Sequence, residues 1–223
     1  MLCFREEQQG IAMRVVALLG LLALGAAQLS VAAAPVEGRD FQRLQLAQPT
    51  SDPKKVVVTE FFSYQCPHCY SFAQPFAAWT RKVAPDVLVE RVPVSLGRPN
   101  WEPAARAYLA FASMQLLPRM DDATFDAIHR QGLRLDSEQA LVQWVGTQRI
   151  DPKEFAALYR SFGLQAQWKV ADAKARAHQI PSIPAIVVDG RYLVAIEDNG
   201  GFQAQLAVVD ELIARARREK GAK

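Results

Sequence analysis

The sequence predicts an α/β domain interrupted by an all-helical insertion. Three observations carry this reading. A β-branched and aromatic run at residues 55–62 leads directly into apolar residues at helical spacing. No strand-like run occurs between Arg98 and His178. Strand patterning then returns with a hairpin signal and a closing amphipathic helix. Half of the 223 residues are apolar and 22% are charged, which suits a globular chain and excludes a disordered or low-complexity one. The net charge of +3 is small for this length and points to no nucleic-acid partner. The densest basic cluster, Arg215-Ala216-Arg217-Arg218, falls at a helix end, where cations complement the dipole.

In chain order, the first element is expected to be a targeting signal. Met13-Arg14 opens a short basic region, residues 15–27 are apolar apart from glycines, and QLSVAAAP suits cleavage between Ala33 and Ala34. The run is short for a permanent span, so residues 1–33 are read as a cleaved secretory signal and a membrane anchor is the alternative. Glu6 and Glu7 fit poorly upstream of such a signal, which places the expected true start at Met13. Cleavage removes Cys3 and leaves two cysteines in an exported chain, hence in an oxidising compartment.

Residues 41–46 alternate weakly and form an expected first strand. KVVVTEFF, residues 55–62, has the continuous apolar character of a strand buried on both faces. Tyr70, Phe72, Ala73, Phe76, Ala77 and Trp79 then give a helix to about residue 84, with Pro67 at its first position and Pro75 kinking it. VLVERVPV, residues 87–94, is another strand. Residues 103–117, 122–131, 137–148, 151–162 and 164–178 read as five successive helices. Ser137 is a good N-cap, and Asp151-Pro152-Lys153-Glu154 resembles a capping box. Trp101, Tyr108, Phe111, Trp144 and Trp168 are assigned to the core of that region. Asp189-Gly190 separates AIVV from RYLV as a hairpin turn. Residues 201–220 close the chain as a helix with Phe202, Leu206, Val209, Leu212 and Ile213 on one face.

The chemistry concentrates in SYQCPHCYSF, residues 63–72. Structural zinc needs four ligands, and His129 and His178 have no partner at ligand spacing. Haem attachment needs His after the second cysteine, where this chain has Tyr70. An iron–sulfur cluster needs more thiolates, and a two-residue loop gives a staple little to constrain. A redox couple survives. Cys66 stands at the expected helix N-cap, where free N–H groups, the helix dipole and His68 favour a thiolate. Each unit by which a thiol pKa lies below ambient pH favours the reduced form by about 1.4 kcal/mol, or about 30 mV. Cys69, one turn further, is expected to be the buried resolving thiol.

EFFSYQCPHCYSF, taken with IPSIPAIVVDGRYLV, resembles the DsbA family of thioredoxin-fold thiol oxidases, and the likeness extends more loosely from about residue 35 to the end. The resemblance implies a thioredoxin-like domain at 34–97 and 179–223, with a helical domain inserted at 98–178. It implies that Cys66, Pro67, His68 and Cys69 form the redox centre and that Pro184 is a cis-proline beside it. Ile183 would offer its backbone to a client peptide as an added strand. Glu60 would be a buried acid exchanging a proton with Cys69, with a raised pKa, as opposed to a residue facing solvent at a strand end. Pro181-Ser182 departs from the family, which often has a basic residue and glycine there, and Lys55 lies too far along the strand to serve Glu60. The implied activity is oxidation of reduced, incompletely folded exported polypeptides in the periplasm. The exposed Cys66 sulfur would be attacked, a membrane quinone reductase of the DsbB kind would be the reoxidant, and the monomer would need no cofactor. A disulfide isomerase or reductase on the same fold is one rival, although residues 35–54 are too few for a dimerisation domain. A peptide-binding chaperone or adaptor with a non-catalytic cysteine pair is the other.

Overall fold

A computed structural model describes residues 34–196 and 201–221, so the expected signal segment, with Cys3 and Met13, lies outside the described residues. The sheet contains β1 (Gln42–Arg43), β2 (Val56–Phe62), β3 (Val87–Pro93), β4 (Ala185–Val188) and β5 (Tyr192–Ala195). Its order is β1-β5-β4-β2-β3; β2 and β3 run parallel and every other pair is antiparallel. Helix α1 (Pro67–Thr80) connects β2 to β3. Between β3 and β4 run α2 (Glu102–Ser113), α3 (Leu117–His129), α4 (Glu138–Thr147), α5 (Pro152–Tyr159) and α6 (Phe162–Ala177). Helix α7 (Phe202–Gly221) closes the chain.

All seven residues of β2 are buried, as its unbroken apolar run predicts for a strand covered on both faces. The alternation of β4 shows how this is achieved. Ile186 and Val188 point into a core with Phe72 and Phe76 of α1 and Val209 and Leu212 of α7. Ala185 and Val187 point the other way, toward Ala171 and Ala175 of α6. A separate helical core gathers Phe111, Met120, Leu141, Trp144, Phe155 and Leu164. Tyr108, Phe111 and Trp144 are buried as expected, while Trp101 and Trp168 pack at core edges.

Several boundaries differ from the sequence reading. The first strand shrinks to Gln42–Arg43, because past Leu44 the chain bonds to the hairpin turn through Leu44 N–H to Arg191 O and Gln48 N–H to Gly190 O. Helix α1 ends at Thr80, where Lys82 N–H turns back to Trp79 O. The expected helix 103–117 instead stops at Ser113, since Gln115 adopts a φ of 59° and Pro118 opens the next helix. Ser137 caps α4 as expected, through Ala140 N–H. Asp151 accepts from Lys153 N–H, one position before the bond of a capping box. Ser161 caps α6, whose first residue, Phe162, comes two residues before the predicted start. Near the C-terminus, Arg217 pairs with Asp86 and Arg215 lies over the Phe41 ring, so part of the basic cluster ties α7 to the sheet domain.

The β4–β5 turn depends on one glycine. Asp189 and Gly190 both have positive φ, 52° and 64°, as a primed turn requires. A Cβ on Gly190 would stand 2.1 Å from the Gln48 carbonyl oxygen. The substitution Gly190→Ala should therefore destabilise the protein by about 2 kcal/mol or more, from unfavourable φ together with the clash. Urea denaturation would record this as a lower midpoint at unchanged slope.

Candidate active site

The antiparallel pairing of β2 with β4, Phe61 opposite Ala185, sets the end of one strand beside the start of the other. The segment leaving β2 carries Cys66, and the segment entering β4 carries Ile183 and Pro184. The two meet: Cys66 Sγ lies 3.5 Å from the Ile183 carbonyl oxygen, and the Ile183–Pro184 peptide is cis. Cys66 is the N-cap of α1, with extended φ and ψ of −91° and 118°, and Pro67 follows in the first turn. Both cysteines are free thiols. Cys69 has no exposed surface; Cys66 has only 5%, so the sulfur expected to be exposed is nearly covered in this dithiol form, with the Ile183 segment against it. Pro67 and His68 are exposed.

The two thiols are driven apart electrostatically. A hydrogen bond from the Cys69 thiol lowers the Cys66 pKa to about 6 against the opposing effect of burial. The Cys69 and His68 N–H groups and the His68 charge add to the fall. No cap hydrogen bond forms in the dithiol itself, yet these N–H groups lie close enough to favour the anion. Burial raises the Cys69 pKa well above its ordinary value, and the bond to Cys66, its charge and that of Glu60 push the same way. One thiol is a ready anion and the other holds its proton.

Glu60 is wholly buried, and its solvent-facing alternative is overturned. Burial pushes its carboxyl pKa up; Arg91 opposes the rise and Asp121 reinforces it. The cation beside it is Arg91, which the in-register parallel pairing of β2 and β3 places directly opposite. Arg91 Nε donates to Glu60 Oε2 at 2.5 Å and Nη1 donates to Asp121 Oδ2 of α3 at 2.6 Å. Its guanidinium also lies 4.0 Å from the centre of the Phe62 ring, a cation–π contact. The buried Tyr64 hydroxyl donates to Asp121 Oδ1 at 2.7 Å.

The loop between β2 and α1 is gripped by the inserted helices. His129 Nε2 stands 2.7 Å from the Tyr64 carbonyl oxygen and so carries the hydrogen, while its ring stacks on Tyr70 at 4.9 Å. Gln65 Nε2 donates to Leu135 O. Sequence reading missed Arg91, Asp121, Tyr64 and His129. For Arg91 a signal existed: Glu60 and Arg91 are opposite charges at the same position of two apolar runs, which an in-register parallel pair brings together. Asp121 and His129 carried no comparable signal, because their neighbours are set by tertiary packing. His178, the remaining histidine, is buried with Nδ1 on Lys174 O, a helix-end role.

A helix-capping Cys-Pro-His-Cys pair with opposed thiol acidities, set against a cis-proline, defines a thiol–disulfide oxidoreductase. The profile of the family described as "DSBA-like thioredoxin domain" matches residues 57–207. The thiol:disulfide interchange protein DsbA of Azotobacter vinelandii is 34% identical over 198 residues, 88% of this chain and 92% of that relative. DsbA of Burkholderia cepacia is 34% identical over 200 residues, 89% and 93% of the two chains. The crystal structure of Pseudomonas aeruginosa DsbA superposes with a TM-score of 0.79 at 30% identity, covering 83% of this chain and 96% of that one. This chain belongs to the DsbA family and has its thioredoxin-like α/β fold. Among the described residues, no helix is long and apolar enough to cross a membrane.

The low Cys66 pKa has a thermodynamic consequence. A folded value of about 6, below the ordinary 9.0, stabilises the reduced fold fully above pH 9.0, and the gain is lost as pH falls through about 6. The disulfide form has no thiolate and gains nothing from this effect. At pH 7 the Cys66 anion favours the reduced protein by about 1.4 kcal/mol. Unfolding free energies from urea titrations should therefore show the reduced form gaining roughly 2–3 kcal/mol on the oxidised form between pH 5 and pH 8.

Proposed function

We propose that the protein is a disulfide oxidase that passes a Cys66–Cys69 disulfide to reduced exported polypeptides. A client thiolate attacks Cys66 Sγ, forming a mixed disulfide and expelling Cys69 as a thiolate. Cys69, with its raised pKa, takes a proton, and Glu60 is the group that supplies it. The client's second thiolate then attacks its own sulfur in the mixed disulfide and releases Cys66. That thiolate is stable near neutrality, so it departs readily. The client loses two electrons and gains a disulfide; the enzyme gains the two electrons and leaves as a dithiol.

The opposed acidities of Cys66 and Cys69 are the observation that carries this reading. His68 stabilises the Cys66 anion and Pro67 preorganises the helix start. Pro184 and Ile183 receive the client backbone. Because Ile183 covers Cys66 in the dithiol, a client strand would bind where that segment meets the sulfur. Residues 34–97 and 179–223 serve as the redox domain, with 98–178 as the inserted helical domain. The chain acts as a monomer in the periplasm after loss of residues 1–33, without metal or organic cofactor, and a membrane quinone reductase of the DsbB kind restores the disulfide.

Oxidative refolding of a reduced, disulfide-containing protein in a glutathione buffer tests the proposal. Cys66→Ser should reduce catalysis to the glutathione background. Cys69→Ser cannot close the intramolecular disulfide and should likewise fall to the glutathione background, its Cys66 carrying at most a glutathione taken from the buffer disulfide, visible by mass. Full activity in the Cys66→Ser variant would remove the case for an oxidase and favour a binding module.

A further inference from the structure

The charge cluster beside the redox pair is unevenly served. Arg91 is one cation shared by two carboxylates, Glu60 through Nε and Asp121 through Nη1. Glu60 is fully buried, and its Oε1 has no hydrogen-bond partner among the described residues. Asp121 is better placed: its side chain is 24% exposed, and Oδ1 also receives the Tyr64 hydroxyl at 2.7 Å. A guanidinium cannot give up a proton and cannot direct its whole charge to both anions at once. The division leaves the buried carboxylate the less stable of the two.

The titratable groups facing Glu60 are Arg91 from β3, Asp121 from α3, Tyr108 from α2 and Cys69 from α1, with Tyr64 joined to the cluster through Asp121. Of these only Arg91 is a cation. A cavity of about 380 Å³, lined by apolar residues such as Phe76 and Val89 together with Arg91, Tyr108 and Asp121, opens on the Arg91–Asp121 side of the cluster, and Glu60 is not part of its wall.

We propose that Asp121 is a positioning residue of the redox site: by claiming part of Arg91 it leaves the Glu60 carboxyl group able to take up and release a proton beside Cys69. This rests on the reading of Glu60 as the proton partner of Cys69. It also assigns a residue of the helical insertion to control of a group on the central sheet. Without Asp121 the guanidinium engages Glu60 alone, and Glu60 stays ionised to lower pH.

Carboxyl carbon-13 NMR of Glu60 in the reduced full chain tests this. Asp121→Asn removes the charge while retaining an acceptor for Tyr64, and should move the Glu60 titration down by about one pH unit, a tenfold tighter hold on the ionised form. Asp121→Ser is a second neutral replacement, expected to give the same downward shift should the first variant not fold. Asp121→Glu should titrate as the wild type does. A Glu60 titration unmoved in the folded neutral variants overturns the proposal. The pH dependence of client oxidation, followed in the same variants, is expected to shift downward with Glu60. If Glu60 moves and that profile stays in place, the hold of Asp121 on Glu60 is upheld, and the assignment of Glu60 as proton partner of Cys69 falls instead.

Discussion

The pairing of β2 with β4 is the constraint from which the rest of the redox centre follows. Because the strands are antiparallel, the end of β2 and the start of β4 share one edge of the sheet. A helix begun immediately past β2 must then open beside the segment entering β4, and its first sulfur meets the Ile183 carbonyl. The dithiol's asymmetry is a matter of depth along that helix. Cys66 stands at the start, beside N–H groups and an exposed histidine, whereas Cys69 is three residues further in and covered on all sides. Two chemically identical groups thus acquire opposite acidities from their neighbours alone.

Beneath them lies an arrangement that ordinary core packing would avoid. A carboxylate without solvent contact is costly unless it is paired, and removing one member of a buried pair typically costs about 3–5 kcal/mol. Here the pair spans two parallel strands and is extended to α3 by Asp121. Phe62, Tyr108 and Phe125 wall the cluster with aromatic surface. The helices between β3 and β4 are therefore electrostatically part of the centre. They also fix its geometry through His129 on the Tyr64 carbonyl and Leu135 on Gln65.

How far this was legible in the sequence varies with the range of the forces involved. The Val56–Phe62 strand, the Pro67 helix start and the Asp189-Gly190 turn were readable because each is dictated by neighbours in sequence. Five helices after β3 were also readable, but the break at Gln115 was missed because apolar spacing continues across it. The acid at Glu60 was recognised through resemblance, and its cation was sought among lysines. Arg91 emerged only with the register of β2 against β3. The near-complete cover on Cys66 comes from a segment more than a hundred residues away, and local pattern contains no trace of it.

The chain order of the sheet bears on how the protein assembles. Strand β4 sits between β2 and β5, yet it follows all five inserted helices in sequence. A polypeptide made from its N-terminus therefore displays its cysteine pair long before the strand that flanks it exists. Such high contact order slows closure of the sheet and leaves unpaired β2 backbone waiting for its partner. The segment made next to last thus both completes the middle of the sheet and brings the carbonyl that meets the Cys66 sulfur, so closing the sheet and covering the sulfur are one event.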